Sequence, residues 1–197
     1  MGGLMLRHPS WEWRIIALSR ADDPDRAPRF HRAGEVYGAK VAISDLDDSP
    51  VLAPLSLDLH EIKERILRSI SDFGFRISDL ILTHGAAGEY TRHERHEQVH
   101  RAVREMWEAG QLSGDIIFFA YTDEERTHPP EPSPDARIRI MLTPEEYARK
   151  QEIIQGIYGF REDSFETKAA GPVEAFTTPA DPETMARLRT ALLDTDH

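Results

Sequence analysis

The chain has 197 residues, of which 40% are hydrophobic and 30% charged, with a formal net charge of −11 and no cysteine. That length is one domain's worth and buries a core without staples, while the acidic balance argues against the basic surface that nucleic-acid phosphates demand. Without cysteine there is no disulfide framework and no thiolate metal site, so any zinc would be held by histidine and carboxylate, a donor set suited to a catalytic site with an open position.

No apolar run approaches the roughly 20 residues that span a bilayer. The start, MGGLMLRHPSWEWR, lacks a basic segment followed by a long apolar one, so it does not read as a signal peptide. The expectation is a cytoplasmic protein with neither membrane nor nucleic-acid partners; its oligomeric state is not legible.

Taken in order, Trp13 to Ser19 (WRIIALS) is a short apolar run of strand length. A polar loop follows, then helical character from Phe30 to Tyr37 that stops at Gly38. Lys40 to Ser44 (KVAIS) predicts a second strand, running into the acidic loop DLDDSP. Leu57 to Phe73 predicts an amphipathic helix whose Leu59, Ile62, Ile66, Leu67 and Ile70 share one face. Asp58 and Glu61 are placed to start it as a carboxylate capping box.

Asp79 to Thr83 (DLILT) is the next strand, His96 to Glu108 the next helix, and Asp115 to Tyr121 (DIIFFAY) a fourth strand. Asp123 to Asp135 is dense in proline and charge and reads as a surface loop or lid rather than an element. Ile138 to Leu142 is a short strand. Thr143-Pro144-Glu145-Glu146 is a capping box with proline at the first helical position, opening a helix to about Gly156. A last helix is expected over Pro182 to Leu193. Alternating strand and helix through the first 120 residues implies an α/β fold: a Rossmann-like parallel sheet with helices on both faces. Residues 1–160 form the domain and 161–197 a helical carboxyl-terminal extension.

Ligands bind at the carboxyl ends of such strands, and the densest chemistry follows the third one, in THGAAGEYTRHERHEQVHRAV. His84 sits at the strand end, and His93, His96 and His100 recur at steps of three and four, which puts them on one side of a helix. Clustering is partly expected in a chain with nine histidines. The cluster still combines titratable groups with the end of a strand, the pattern of a metal or catalytic site. Read literally, His96-Glu97-Gln98-Val99-His100 matches HExxH, in which two histidines bind zinc and the glutamate activates water. Glu124 or Glu125 would then be a further ligand.

A second reading rests on resemblance. The stretch GEYTRHERHEQVH resembles the second signature of the PIG-L/LmbE-like zinc-dependent deacetylases: a strand, a glycine-rich loop with GEY, then H-P-D-H and a helix. Upstream, IIALSRADDPDRAPRFHRAGEVYGA looks like the second strand, loop and helix of that family, and FFAYTDEE resembles the next strand and loop. The resemblance covers about Met1 to Tyr121. It implies His96 as a zinc ligand and His93 as the group that stabilises the oxyanion or protonates the leaving amine. Glu89, Tyr90 and Arg95 are implied as substrate contacts, with His84 and His100 as possible additional site residues. Glu94 and Arg95 stand where the family carries Pro-Asp, which removes a carboxylate that would orient His93.

The first signature of that family, a strand ending in H-P-D-D-E, is absent; His8-Pro9-Ser10-Trp11 is only an echo of it. The resemblance therefore implies a domain whose first strand is missing, beginning within the helix after that motif. A single imidazole does not make a zinc site, which takes three or four donors. Asp45, Asp47 and Asp48 are on the same rim, though a solvated acidic turn explains them as well. The implied activity is zinc-dependent N-deacetylation of a small N-acetylated sugar or sugar conjugate. The alternatives are a non-catalytic remnant that binds a ligand or partner, and the HExxH hydrolase.

Overall fold

The structure, a computed structural model, describes residues 2–47, 59–74, 78–88, 93–124 and 127–194. It opens with helix α1 (Gly2–Arg7), which leads into strand β1 (Arg14–Ala17). Helix α2 (Arg26–Val36) carries the chain to β2 (Lys40–Ile43), which lies parallel to β1. Helix α3 (Leu59–Asp72) then returns it to β3 (Leu80–Thr83). Helix α4 (Glu94–Glu108) leads to β4 (Asp115–Phe119), parallel to β3. These are the strands and helices that the spacing predicts, trimmed by one to three residues at most ends. Two helices start earlier than predicted: α2 begins four residues before Phe30 and α4 two residues before His96.

Beyond β4 the chain departs from simple alternation. Residues β5 (Tyr121–Thr122) and β6 (Glu131–Pro132) pair as a short antiparallel ribbon. The proline-rich segment therefore does contribute an element, contrary to the expectation of a plain loop. Strand β7 (Ile138–Met141) leads to helix α5 (Pro144–Glu152), which runs on into a π turn, Ile153–Ile157. The predicted capping box is present on Thr143 and Glu146. After the short helix α6 (Phe165–Ala169) come β8 (Val173–Thr177) and helix α7 (Pro182–Leu193).

The result is a mixed α/β fold in which strands form two main groups. One holds β1 and β2; the other runs β3-β4-β8-β7, with β8 antiparallel to both its neighbours. The sheet is thus mixed rather than wholly parallel. The last strand in sequence sits inside it, with Glu174, Ala175 and Phe176 buried.

Side chains of β3 and β4 alternate between two cores, as a pleated strand requires. Ile81, Ile116 and Phe118 pack with Ile62 and Ile66 of α3 and Ala102, Val103 and Met106 of α4. Leu80, Leu82, Ile117 and Phe119 pack on the other face with Leu4 of α1, Phe176 of β8, and Leu188 and Leu192 of α7. Phe176, Leu188 and Leu192, from the expected carboxyl-terminal extension, thereby share the second core. On α3 the predicted apolar face is narrower than its sequence: Leu67 is 42% exposed. Asp58, the expected cap, and Asp48 lie outside the described residues.

The face bearing α1 is pinned by buried charge. Lys150 reaches Glu174 at 3.2 Å, and the Gly3 amide donates to the same carboxylate at 2.8 Å. Burial by itself would push the Glu174 carboxyl up, but neighbouring positive charges, Lys150 among them, outweigh it and hold it at about 2. Arg7 makes a two-pronged bond to Glu146, at 2.9 and 2.6 Å, tying α1 to the first turn of α5.

Candidate functional site

Strand β3 delivers His84 at its carboxyl end, beside Gly85 and Gly88. Gly88 adopts φ 79°, and its amide bonds back to the Gly85 carbonyl at 3.1 Å. A Cβ on Gly85 would lie 2.6 Å from the Phe119 carbonyl oxygen and 2.7 Å from that of Gly88, so only glycine fits where this loop crosses the end of β4. Glu89 and Tyr90 lie outside the described residues. The chain is described again at His93, which is extended (φ −132°, ψ 110°) and stands at the N-cap of α4. Its side chain makes no capping hydrogen bond, and the first turn carries Glu94 and Glu97.

Three of the predicted histidines come together. The ring of His96 stacks on His84 with centroids 4.1 Å apart and planes 12° from parallel. On its other side it stacks on His93, at 4.4 Å and 26°. The column stands at the carboxyl end of β3 against the first turn of α4, with His93 exposed and His96 half-buried. Phe119 backs it, 6.4 Å from the His84 ring.

His100 is placed differently. It is buried, its ring tilted against Phe118 at 4.5 Å, and its Nδ1 lies 2.7 Å from the His84 carbonyl oxygen. That carbonyl only accepts, so Nδ1 carries the proton. Burial lowers the His100 pKa, the hydrogen bond to His84 only partly opposing it. The ring is a neutral strut between α4 and the end of β3.

Arg95 is also turned inward. It is buried, donating through Nη1 to Gln98 Oε1 at 3.1 Å and through Nη2 to the Asp47 carbonyl. Its Nε is buried without a hydrogen-bond partner among the described residues. The side chain clamps the loop after β2 to α4. In that loop Asp45 is exposed and engaged by Arg65 at 2.7 Å, a hydrogen bond that lowers its pKa.

Zinc needs donors at about 2.0–2.1 Å that converge on one point. Nitrogen lone pairs lie in the plane of the ring, so near-parallel stacked imidazoles aim theirs side by side rather than at a shared ion. Among the described residues no three histidine or carboxylate groups are disposed to hold a metal. The residues placed here therefore do not by themselves fit zinc. What they do offer is a column of imidazoles able to accept and donate protons, next to the amide groups at the start of a 15-residue helix. No family model, no curated protein and no solved structure matches the chain.

Proposed function

We propose that the histidine column is the reaction site of an N-deacetylase, an amide hydrolase acting on a small N-acetylated sugar or sugar conjugate. The reading joins the resemblance of GEYTRHERHEQVH to the PIG-L/LmbE-like signature with one observation. His93 and His96, which that signature makes functional, are stacked together at the carboxyl end of a parallel strand. We read the two parallel pairs, β1–β2 and β3–β4, as halves of a Rossmann-like sheet, whose loops at that end are where ligands bind.

On this reading the exposed His93 ring meets the substrate first. A ring nitrogen bearing a proton donates to the oxygen that gains charge as water attacks the acetyl carbonyl, or passes that proton to the leaving amine. The α4 amides at the same end favour the same developing negative charge. His84 and His100 hold the column upright. Zinc is the cofactor that the resemblance implies; since the residues described do not complete a site for it, no step is assigned through it. The expected location is the cytoplasm, and no described helix is long and apolar enough to cross a membrane.

The test is acetate release from an N-acetylglucosamine conjugate, with zinc content measured on the same preparation. Loss of activity in both His93→Ala and His96→Ala, with the fold of each variant intact, supports the reading, and zinc content shows whether a metal takes part. A second reading, a non-catalytic relative that binds a ligand or partner, is favoured by the incomplete donor set. It is the reading left if the chain binds the conjugate yet releases no acetate. The HExxH reading requires zinc to depend equally on His96 and His100.

A further inference from the structure

Between β1 and β3 lies a slot of about 1570 Å³. Its walls are the two strands themselves, through Arg14, Ile16, Leu80 and Leu82 among others. We propose that this slot takes one further β-strand, an extended apolar segment running parallel to both walls and supplied by polypeptide on the amino side of α1. The proposal stands on the sheet geometry and does not depend on the deacetylase reading.

The first argument is hydrogen bonding. Among the described residues β1 pairs only with β2, and β3 on this side pairs with nothing. In a parallel ladder alternate residues bond to opposite sides. The carbonyls of Trp13 and Ala17 are taken by the amides of Lys40 and Ser44, so the backbone of Ile16 faces away from β2, into the slot. The carbonyl of Asp79 is taken by the Asp115 amide, so Leu80 and Leu82 face it from the other wall. A single helix, α3, returns the chain from the end of β2 to the start of β3, which makes β1 and β3 run in the same direction.

The second argument is burial. Interior strands of parallel sheets are apolar on both faces and covered on both. Ile15, Ile16, Leu80, Ile81 and Leu82 have that composition, yet all are only half-buried. Covering helices are already in place across the gap. Ile66 and Ile70 of α3 line one side, and Trp11, Trp13 and Leu192 the other. Floor and roof are therefore in place, and an added strand would run about 4.8 Å from each neighbour.

The third argument fixes the source. The units β1–α2–β2 and β3–α4–β4 are each strand, helix, parallel strand, whereas α1–β1 is such a unit without its first strand. Parallel crossovers are right-handed. Movement from slot to β1 continues the direction from β1 to β2, so α1 must lie on the same face as α2. It does: α1 packs on α5, α2 packs on the π turn that continues α5, and Arg29 of α2 donates to the Ile157 carbonyl at 3.1 Å. Helix α4, which steps the other way, is on the opposite face with α3. A strand in the slot followed by α1 obeys the handedness that the rest of the sheet already follows. Its carboxyl end would emerge beside His84.

The experiment is amide hydrogen exchange, read by NMR at Ile16, Leu80 and Leu82. It compares the 197-residue chain with the same chain carrying about five alternating valine and isoleucine residues and a polar loop before Gly2. A second version uses threonine in place of isoleucine to limit self-association. We expect fast exchange at all three amides in the chain alone, and slowing of about 100-fold or more when either strand is present. Proline at the middle of the added strand should abolish the slowing. The proposal is overturned if the amides are already protected in the chain alone, or if neither strand slows them. It is also overturned if the same peptide added as a separate molecule protects them equally, since the source would then be a partner.

Discussion

The Nδ1 of His100 donates to the carbonyl oxygen of His84 across 2.7 Å, so the second turn of α4 holds the residue at the tip of β3. This bond sets the height at which the His84 ring presents itself to His96. Replacing His100 with alanine removes the donor and opens space beside Phe118. The expected cost is about 1–3 kcal/mol in urea unfolding. On the proposed deacetylase reading, acetate release per folded molecule should fall with it, whereas a variant that merely loosened the core elsewhere would leave it unchanged.

The same residue gives a pH dependence. Burial puts the folded pKa of His100 below its ordinary 6.5. Above that value both folded and unfolded states are neutral here and the residue contributes its full stability. As the pH falls, the unfolded chain takes up the proton first, so stability is lost on the acid side. Urea midpoints taken at about pH 7.5 and about pH 5.5 should differ more in the natural chain than in His100→Gln. Equal differences would remove His100 from the account.

Arg95 should tolerate change poorly, and least of all toward the residue that the family signature carries. Aspartate there would lie buried against the Asp47 carbonyl, which now accepts from the guanidinium. Arg95→Asp is expected to cost more than about 2 kcal/mol and Arg95→Met less, as judged by thermal melts of the two variants. If aspartate proves the milder change, the inward placement of Arg95 is wrong.

Lys150 and Glu174 form the buried pair most exposed to disruption by mutation. Lys150→Met takes one of the neighbouring positive charges away from a fully buried carboxylate, for an expected loss of about 3 kcal/mol. Changing both, with Glu174→Gln added, should recover much of it. With the Glu174 pKa held at about 2, the charged carboxylate and its surrounding donors are fully stabilising above the ordinary carboxylate value of 4.5, and that contribution fades as the pH falls toward 2. Acid unfolding of the double variant should therefore be shallower than that of the natural chain.

Gly85→Ala is predicted to disturb the site without touching a titratable group. The added methyl would meet two backbone carbonyl oxygens, neither of which can swing aside as a side chain does. Loss of the histidine column should appear as a shift of the His84 and His96 ring proton resonances, with α4 otherwise intact.

What the sequence made legible was whatever depends on local pattern. Apolar runs located β1 to β4, and the Thr143 capping box and Pro182 located the starts of α5 and α7 to within a residue. The proximity of His84, His93 and His96 was legible from the strand end and the close spacing that follows it, but His93 stands at the N-cap in extended conformation rather than on the helix face expected. The inward turn of Arg95 and His100 could not be anticipated, because it depends on Asp47 and His84, which reach them only through the fold. Strand β8 was missed for a related reason. VEAFT carries a glutamate in mid-strand, whose partners, Lys150 and Gly3 among them, come from distant parts of the chain.

That last strand has a consequence for how the protein is made. During synthesis β4 emerges from the ribosome more than fifty residues before β8, and β7 has no pairing partner until β8 arrives. Helix α1, made long before β8, reaches its buried contact with Glu174 across a separation of 171 residues. Most of the nascent chain must therefore wait, with the β4 edge and the inner face of α1 open, until its final quarter can be threaded into place. A chaperone that shields apolar surface would find its longest opportunity in this interval, and refolding from denaturant should be slow compared with a fold closed by neighbouring strands.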